Sequence, residues 1–235
     1  MHLLWLWIAL SLGLPAFGSE EVWYVVRKNG KTSAVFSESV TKDVAEKSVS
    51  IRQKWELIAP ARGRIKLESL SVGDATLSPS WMKVRFKKKD GKKEFRFTAS
   101  AVSDLGKPQF KLEFEQIKPK KKKTEKFFDN PPDGVFYTAL PLYLSRLKTG
   151  TYLATGIMED IDSPEFSTKK LRLQRLDESK DIHGERCSRS VVDIGGFPGD
   201  LWANAAGRLC ELSLPTMKTK ISRSTDAEAK KLLKR

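Results

Sequence analysis

Two dipeptides constrain this chain more than any bulk property. Asn29-Gly30 separates two apolar, β-branched runs, and Asp90-Gly91 separates two runs in which apolar residues alternate with charged ones. A two-residue link between antiparallel strands needs positive φ at both central positions, and these pairs supply it at low steric cost. Each therefore predicts a tight hairpin. Counting outward from Asn29-Gly30 joins 22–26 to 32–36, with Tyr24 opposite Val35 and Trp23 opposite Phe36. Counting outward from Asp90-Gly91 spans 83–98, with Phe86 opposite Phe95 and Val84 opposite Phe97. That second hairpin has one apolar face, and Arg85 and Arg96 lie on the other.

The alternation continues beyond the turns. Val49, Ile51, Trp55 and Leu57 share one face and Ser50, Arg52, Lys54 and Glu56 the other, with Gln53 the polar exception. Between Ile65/Leu67 and Leu70/Val72 the phase slips by one, which predicts a bulge near Glu68-Ser69. Phe110, Leu112 and Phe114 mark a further half-buried strand. Lys118-Pro119-Lys120-Lys121-Lys122-Lys123 has no apolar period and reads as a loop or linker, closed by the turn Pro131-Pro132-Asp133-Gly134.

Past it, Leu140, Tyr143, Leu144 and Leu147 fall at helical spacing behind Pro141, which suits a first helical position. Strands are predicted at 151–158, 166–176 and about 182–194. A last hairpin joins 201–203 to 208–214 around Asn204-Ala205-Ala206-Gly207, with Gly207 left-handed and Trp202 opposite Cys210. The end, from Ser224, has a capping-like start and forms a short helix or a frayed tail.

The predicted organisation is a signal peptide at 1–18, a first strand-rich half at 19–117, a basic linker or loop at 118–133, a second strand-rich half at 134–223 and a basic tail at 224–235. The predicted fold class is mainly β: a curved antiparallel sheet or partly open β-barrel with one or two short helices. A two-sheet β-sandwich is the alternative.

Residues 1–18 combine an apolar stretch with Ala16-Phe17-Gly18, which puts small residues at the two positions a signal peptidase reads. The stretch is shorter than the ~20 apolar residues a membrane span needs. It predicts an exported protein, periplasmic or extracellular, with no transmembrane segment after cleavage. The leader has no Lys or Arg ahead of its apolar run. An exported chain with two cysteines predicts one disulfide, Cys187 to Cys210; two buried free thiols are the alternative.

The net charge of +14 favours polyanions. Candidate anion-binding residues are Lys87, Lys88, Lys89, Lys92 and Lys93 at the second hairpin's tip, with Lys120, Lys121, Lys122 and Lys123. The expected partner is an anionic envelope component: a lipid headgroup, a glycan or an acidic protein. The export signal argues against nucleic acid, and a merely solvated surface is the other reading of the charge.

Catalytic patterns are sparse. His183 precedes Cys187 by four residues, which on a strand separates them by about 13 Å. No Gly-x-Ser-x-Gly elbow is present. Two cysteines and one histidine beyond the leader cannot build a Cys₄ or His-rich zinc site. Glu159-Asp160-Ile161-Asp162 with Glu165 gathers oxygen ligands but lacks the glycine-turned calcium spacing. No catalytic residue, metal or cofactor is therefore nominated. Trp55, Phe95, Phe97, Phe110 and Phe114 form an inward aromatic set, either filled core or a surface for an apolar ligand.

Trp23-Tyr24, Asn29-Gly30, Leu201-Trp202 and Gly207-Arg208-Leu209 form a layout that resembles exported bacterial β-rich proteins of unknown function. These are similar to the half-barrel fold of lipoprotein-carrier and lipoprotein-receptor domains. The resemblance implies an acyl chain held in the concave face of the sheet, against the inward aromatics. The expectation is a non-enzymatic cell-envelope β-protein that binds an apolar or amphipathic ligand and carries a basic surface for anionic groups. The alternatives are an accessory protein docking an acidic partner or glycan, and a hydrolase whose paired carboxylates meet only in space.

Overall fold

A computed structural model describes residues 20–59, 63–88, 94–104, 107–159 and 166–234. The leader at 1–18, most of the lysine tip and the acidic stretch 160–165 lie outside them.

The described residues form one sheet of fifteen strands. The first arm is a meander of eight: β1 (Val22–Lys28), β2 (Lys31–Asp43), β3 (Ser48–Ala59), β4 (Gly63–Asp74), β5 (Pro79–Lys88), β6 (Glu94–Asp104), β7 (Lys107–Lys118) and β8 (Lys122–Asp129). A short strand β9 (Gly134–Phe136), a 3-10 turn (Tyr137–Ala139) and helix α1 (Leu140–Arg146) follow. The second arm is β10 (Gly150–Glu159), β11 (Phe166–Ile182), β12 (Glu185–Ile194), β13 (Pro198–Asn204), β14 (Leu209–Leu214) and β15 (Thr219–Ser224), and helix α2 (Asp226–Lys234) comes after it. β15 pairs antiparallel with β1, from Trp23↔Ser224 to Lys28↔Thr219, and so welds the two arms at the middle of the sheet. Every neighbouring pair is antiparallel except β9 with β10, between which the 3-10 turn and α1 carry the chain across. This is the curved sheet expected, not the two-sheet sandwich.

The sheet rolls on itself. Phe110 on β7 comes within 6.0 Å, ring to ring, of Phe136 on β9, near the two ends of the strand order. Helix α1 lies inside the roll and buries Leu140, Leu142 and Leu144. Helix α2 lies on the outer face, where Ala229, Leu232 and Leu233 cover Trp23, Val25 and Val35. That explains the unbroken apolar run of β1, which is covered on both sides. The tail is helical because it is capped. Thr225 Oγ1 accepts from the Glu228 amide at 3.1 Å, and Ser224 Oγ bonds the Glu228 carboxylate at 3.0 Å.

The hairpin at β5–β6 has the expected register, Phe86↔Phe95 and Val84↔Phe97. The β1–β2 hairpin does not: it pairs Tyr24 with Phe36 and Trp23 with Ser37. A bulge between Val26 and Arg27 leaves Ser33 as the extra residue, its hydroxyl donating to the Val26 carbonyl at 3.2 Å. The same slip recurs at β13–β14, where Trp202 faces Glu211 and Cys210 is the bulged residue. Conversely, the bulge expected near Glu68-Ser69 is absent, and β3–β4 runs in register throughout. Ser69 and Ser71 face the interior instead, and Ser71 bonds the Thr138 hydroxyl at 2.8 Å. Two small hydroxyl side chains leave room there for the 3-10 turn.

The strand expected at 182–194 is two strand ends joined at His183-Gly184, where φ is +53° and +77°, a two-residue turn like that at Asn29-Gly30. The basic segment 118–133 is not only a linker: it contains β8, which pairs with β7 from Gln116↔Lys122 to Gln109↔Asp129. Lysines there sit on an edge strand, where charge discourages pairing with another chain.

Cys187 on β12 and Cys210 on β14 are joined in a disulfide, with Cα atoms 6.6 Å apart. Cys187 pairs with Asn204, the last residue of β13, so the bridge passes around the end of the strand between them. Closing that loop stabilises by about 3 kcal/mol in the chain-entropy picture. It also removes Cys187 as a candidate nucleophile.

Candidate functional site

The inner face of the first arm carries a row of large side chains in lateral register. Tyr24, Phe36, Trp55, Leu67, Phe86 and Phe95 face one another across β1 to β6. Tyr24 stacks on Phe36 at 4.7 Å, Phe36 on Trp55 at 3.9 Å and Phe86 on Phe95 at 4.5 Å, ring centre to ring centre. Each strand contributes one rung because alternation sends every second side chain inward.

Beside the middle of this row, at Phe36, Trp55 and Leu67, lies a cavity of about 400 Å³, between the inner faces of both arms and the 3-10 turn and α1. Its walls include Phe36, Trp55, Leu57, Leu201, Leu212 and Ile221. Burial grades along it. Leu57, Ile194, Leu212 and Ile221 are half-buried, whereas Phe36, Glu38, Gln53, Leu201 and Leu209 are buried. The half-buried residues lie toward the end of the sheet bearing the β1–β2, β12–β13 and β14–β15 turns, so the cavity opens there.

The floor holds a buried carboxylate. Glu38 is 6% exposed and is on the same face of β2 as Phe36. Gln53 Nε2 donates to Glu38 Oε2 at 2.6 Å, and Trp55 Nε1 donates to Gln53 Oε1 at 2.9 Å. Burial pushes the Glu38 carboxyl up to about 7, opposed by the Gln53 hydrogen bond and the charges of Arg208 and Arg223. Both arginines are already paired, Arg208 with Glu20 at 2.6 Å and Arg223 with Glu185 at 2.5 Å.

A raised carboxyl pKa has a definite sign in stability. The folded protein holds this proton more tightly than the unfolded chain, whose Glu titrates near 4.5. The contribution is complete below that value and is lost as pH rises through about 7. Raising the pH from acid to alkaline across this window should lower the unfolding free energy by on the order of 3 kcal/mol. Glu38→Gln should flatten that slope. Urea unfolding at a series of pH values measures it, and parallel slopes in the two proteins would remove Glu38 as the cause.

The sequence-predicted residues divide between core and cavity. Trp55 lines the cavity, while Phe95, Phe97 and Phe110 are buried core and Phe114 is half-buried, 5.4 Å from Phe95. Lys87 is exposed opposite Glu94, and Lys88 closes β5. Lys89, Lys92 and Lys93 lie outside the described residues. Lys120, Lys121, Lys122 and Lys123 are all exposed, with Lys121 3.6 Å from Glu115. Because Glu94 pairs with Lys87 and with Lys118, the described ends of β5 and β6 lie beside the β7–β8 turn. They occupy the end of the sheet at which the cavity opens, together with exposed Lys28, Lys31, Lys218, Phe197 and Met217. Glu38 escaped the sequence reading, although one signal was there. It occupies the apolar phase Ala34, Phe36, Glu38, Val40.

Among the described residues, no group of three or more His, Cys, Asp or Glu is placed to hold a metal ion, and no helix is long and apolar enough to cross a membrane.

No protein-family model matches the chain, and no curated protein matches it. Solved structures do. One is a beta-barrel-like protein of the domain of unknown function DUF1849 from Brucella abortus, with a TM-score of 0.56 and 11% identity over 87% of this chain and 95% of that one. Another is a DUF1089 family protein from Pseudomonas aeruginosa, with a TM-score of 0.51 and 12% identity over 79% of this chain and 90% of that one. At such identities the likeness concerns fold, and the rolled sheet described above is similar to these β-barrel-like proteins of unknown function.

Proposed function

We propose that this is an exported, non-enzymatic cell-envelope β-protein that holds the apolar part of an amphipathic ligand inside the rolled sheet. Exposed lysines around the open end contact anionic groups, on the ligand or on the surface it comes from. The cavity carries this reading: about 400 Å³, walled by aromatic and aliphatic side chains and open at one end. Small-molecule sites are typically concave, mainly apolar, and of this size. The excess of lysine and arginine supports the second half, since a net charge of +14 draws anions over several ångströms at low salt.

Native mass spectrometry of the protein purified from an envelope fraction tests the reading, with a titration of the apolar fluorophore N-phenyl-1-naphthylamine. The expected results are an added lipid-sized mass and a saturable, one-to-one rise in fluorescence. Ile221→Arg, at the half-buried mouth, should weaken that binding by about tenfold or more with little change in unfolding. A bare mass with no saturable binding would overturn the proposal and favour a docking protein with a filled interior. Replacing Lys120, Lys121, Lys122 and Lys123 by Gln should lower association with anionic vesicles at low salt while leaving fluorophore binding intact.

A further inference from the structure

We infer that Glu38 is the polar partner of the bound molecule, so that the cavity selects apolar ligands whose leading end carries a hydrogen-bond donor, a hydroxyl or an ammonium. This rests on the ligand-holding reading above and adds the direction in which the ligand enters and the chemistry of its buried end.

Three observations carry it. First, a carboxyl group lies at the enclosed end of a cavity whose walls are mainly apolar, the other polar side chains on them being Gln53, Thr138 and Tyr137. Burying such a group is costly unless its oxygens are bonded. Second, its neighbours hold it as an acceptor. An indole N–H can only donate, so Trp55 Nε1 must meet the oxygen of Gln53, which turns the Gln53 NH₂ toward Glu38. Gln53 occupies Oε2, whereas Oε1 accepts no hydrogen bond among the described residues. Third, the nearby cations are already matched. Arg208, from the β13–β14 turn, is held by Glu20, and Arg223 on β15 by Glu185. Tyr24, the remaining titratable group beside Glu38, gives its hydroxyl to the Leu209 carbonyl at 3.0 Å. None of these side chains is placed to hydrogen-bond Oε1, and Glu38 is left as the negative group without a paired cation.

A ligand ending in a methyl group would leave that oxygen unsatisfied and out of water. A ligand ending in a carboxylate would set two anions against each other. A hydroxyl or ammonium completes the acceptor, and the ammonium adds a charge pair in a poorly screened site.

Displacement of bound N-phenyl-1-naphthylamine at pH 8 by four ten-carbon compounds tests this on the unaltered protein: decan-1-ol, decylamine, methyl decyl ether and decanoate. Decanol or decylamine should displace at about tenfold lower concentration than the ether, and decanoate should be weakest. Decylamine ahead of decanol assigns an ammonium, and the reverse assigns a hydroxyl; either supports the inference. Glu38→Gln should erase the lead of decylamine over decanol and leave the ether unchanged. Equal displacement by all four, or decanoate the strongest, overturns the role of Glu38 while leaving an apolar-ligand protein. Failure of the fluorophore itself to bind overturns the ligand-holding reading instead.

Discussion

Gly207→Ala is expected to destabilise the protein by about 3 kcal/mol or more, against about 1 kcal/mol for Gly184→Ala. Both glycines have positive φ, +80° and +77°, so both substitutions incur the left-handed penalty of an L-residue. The difference is space. A Cβ on Gly184 meets nothing within 4 Å. A Cβ on Gly207 would collide with Leu142 Cδ1 and would lie 2.7 Å from Leu142 Cα and 2.9 Å from Ser145 Oγ. The side-chain clashes could ease by rotation, but Leu142 Cα belongs to the backbone of α1, which no rotamer change can move. The helix must therefore lift from the β13–β14 turn, and Leu140 and Pro141 move with it out of the cavity wall. Urea unfolding of the two variants measures the gap, and fluorophore titration reads the cavity. Equal losses of stability would mean that α1 is not seated on this turn.

Phe97→Ala and Trp55→Ala should separate the inward aromatics into two kinds. Phe97 is 1% exposed and sits in register between Val84 and Phe114. Its truncation should cost about 3–5 kcal/mol and leave ligand affinity unchanged where the protein remains folded. Trp55 is half-buried, stacked on Phe36 at 3.9 Å, and lines the cavity. Its loss should cost less stability and most of the fluorophore binding. The same stability loss from both, with binding intact in Trp55→Ala, would make the row a uniform core and count against a ligand surface.

Much of the architecture was legible because it is local. The turns at Asn29-Gly30 and Gly207, the period-two alternation of β3 and the β5–β6 hairpin, and Pro141 at the head of α1 each depend on a few adjacent residues. What the reading missed depends on distant ones. Ser33 and Cys210 are bulged residues, and a single extra residue shifts every cross-strand partner beyond it. Ser69 and Ser71 looked like a change of phase because nothing nearby in the chain says that a turn near residue 138 will rest on them. Residues 122–129 looked like linker because an edge strand needs no apolar face of its own to pair. The floor of the cavity was the least visible part. Glu38 interrupts an apolar phase by one position, and its meaning comes from Gln53 on the next strand and from Arg208 and Arg223 far along the chain.

The seam between β1 and β15 sets the order in which this molecule can be completed. Trp23 and Ser224 are neighbours in the sheet but lie at opposite ends of the described chain. Contacts of such sequence separation form slowly. Until residues 219–224 arrive, β1 and β14 are both open edges, and the outer apolar patch of Trp23, Val25 and Val35 waits for α2. Residues 20–218 alone would thus carry a sticky, unfinished edge at β1, and only the C-terminal segment closes it and makes the molecule safe from edge-to-edge aggregation.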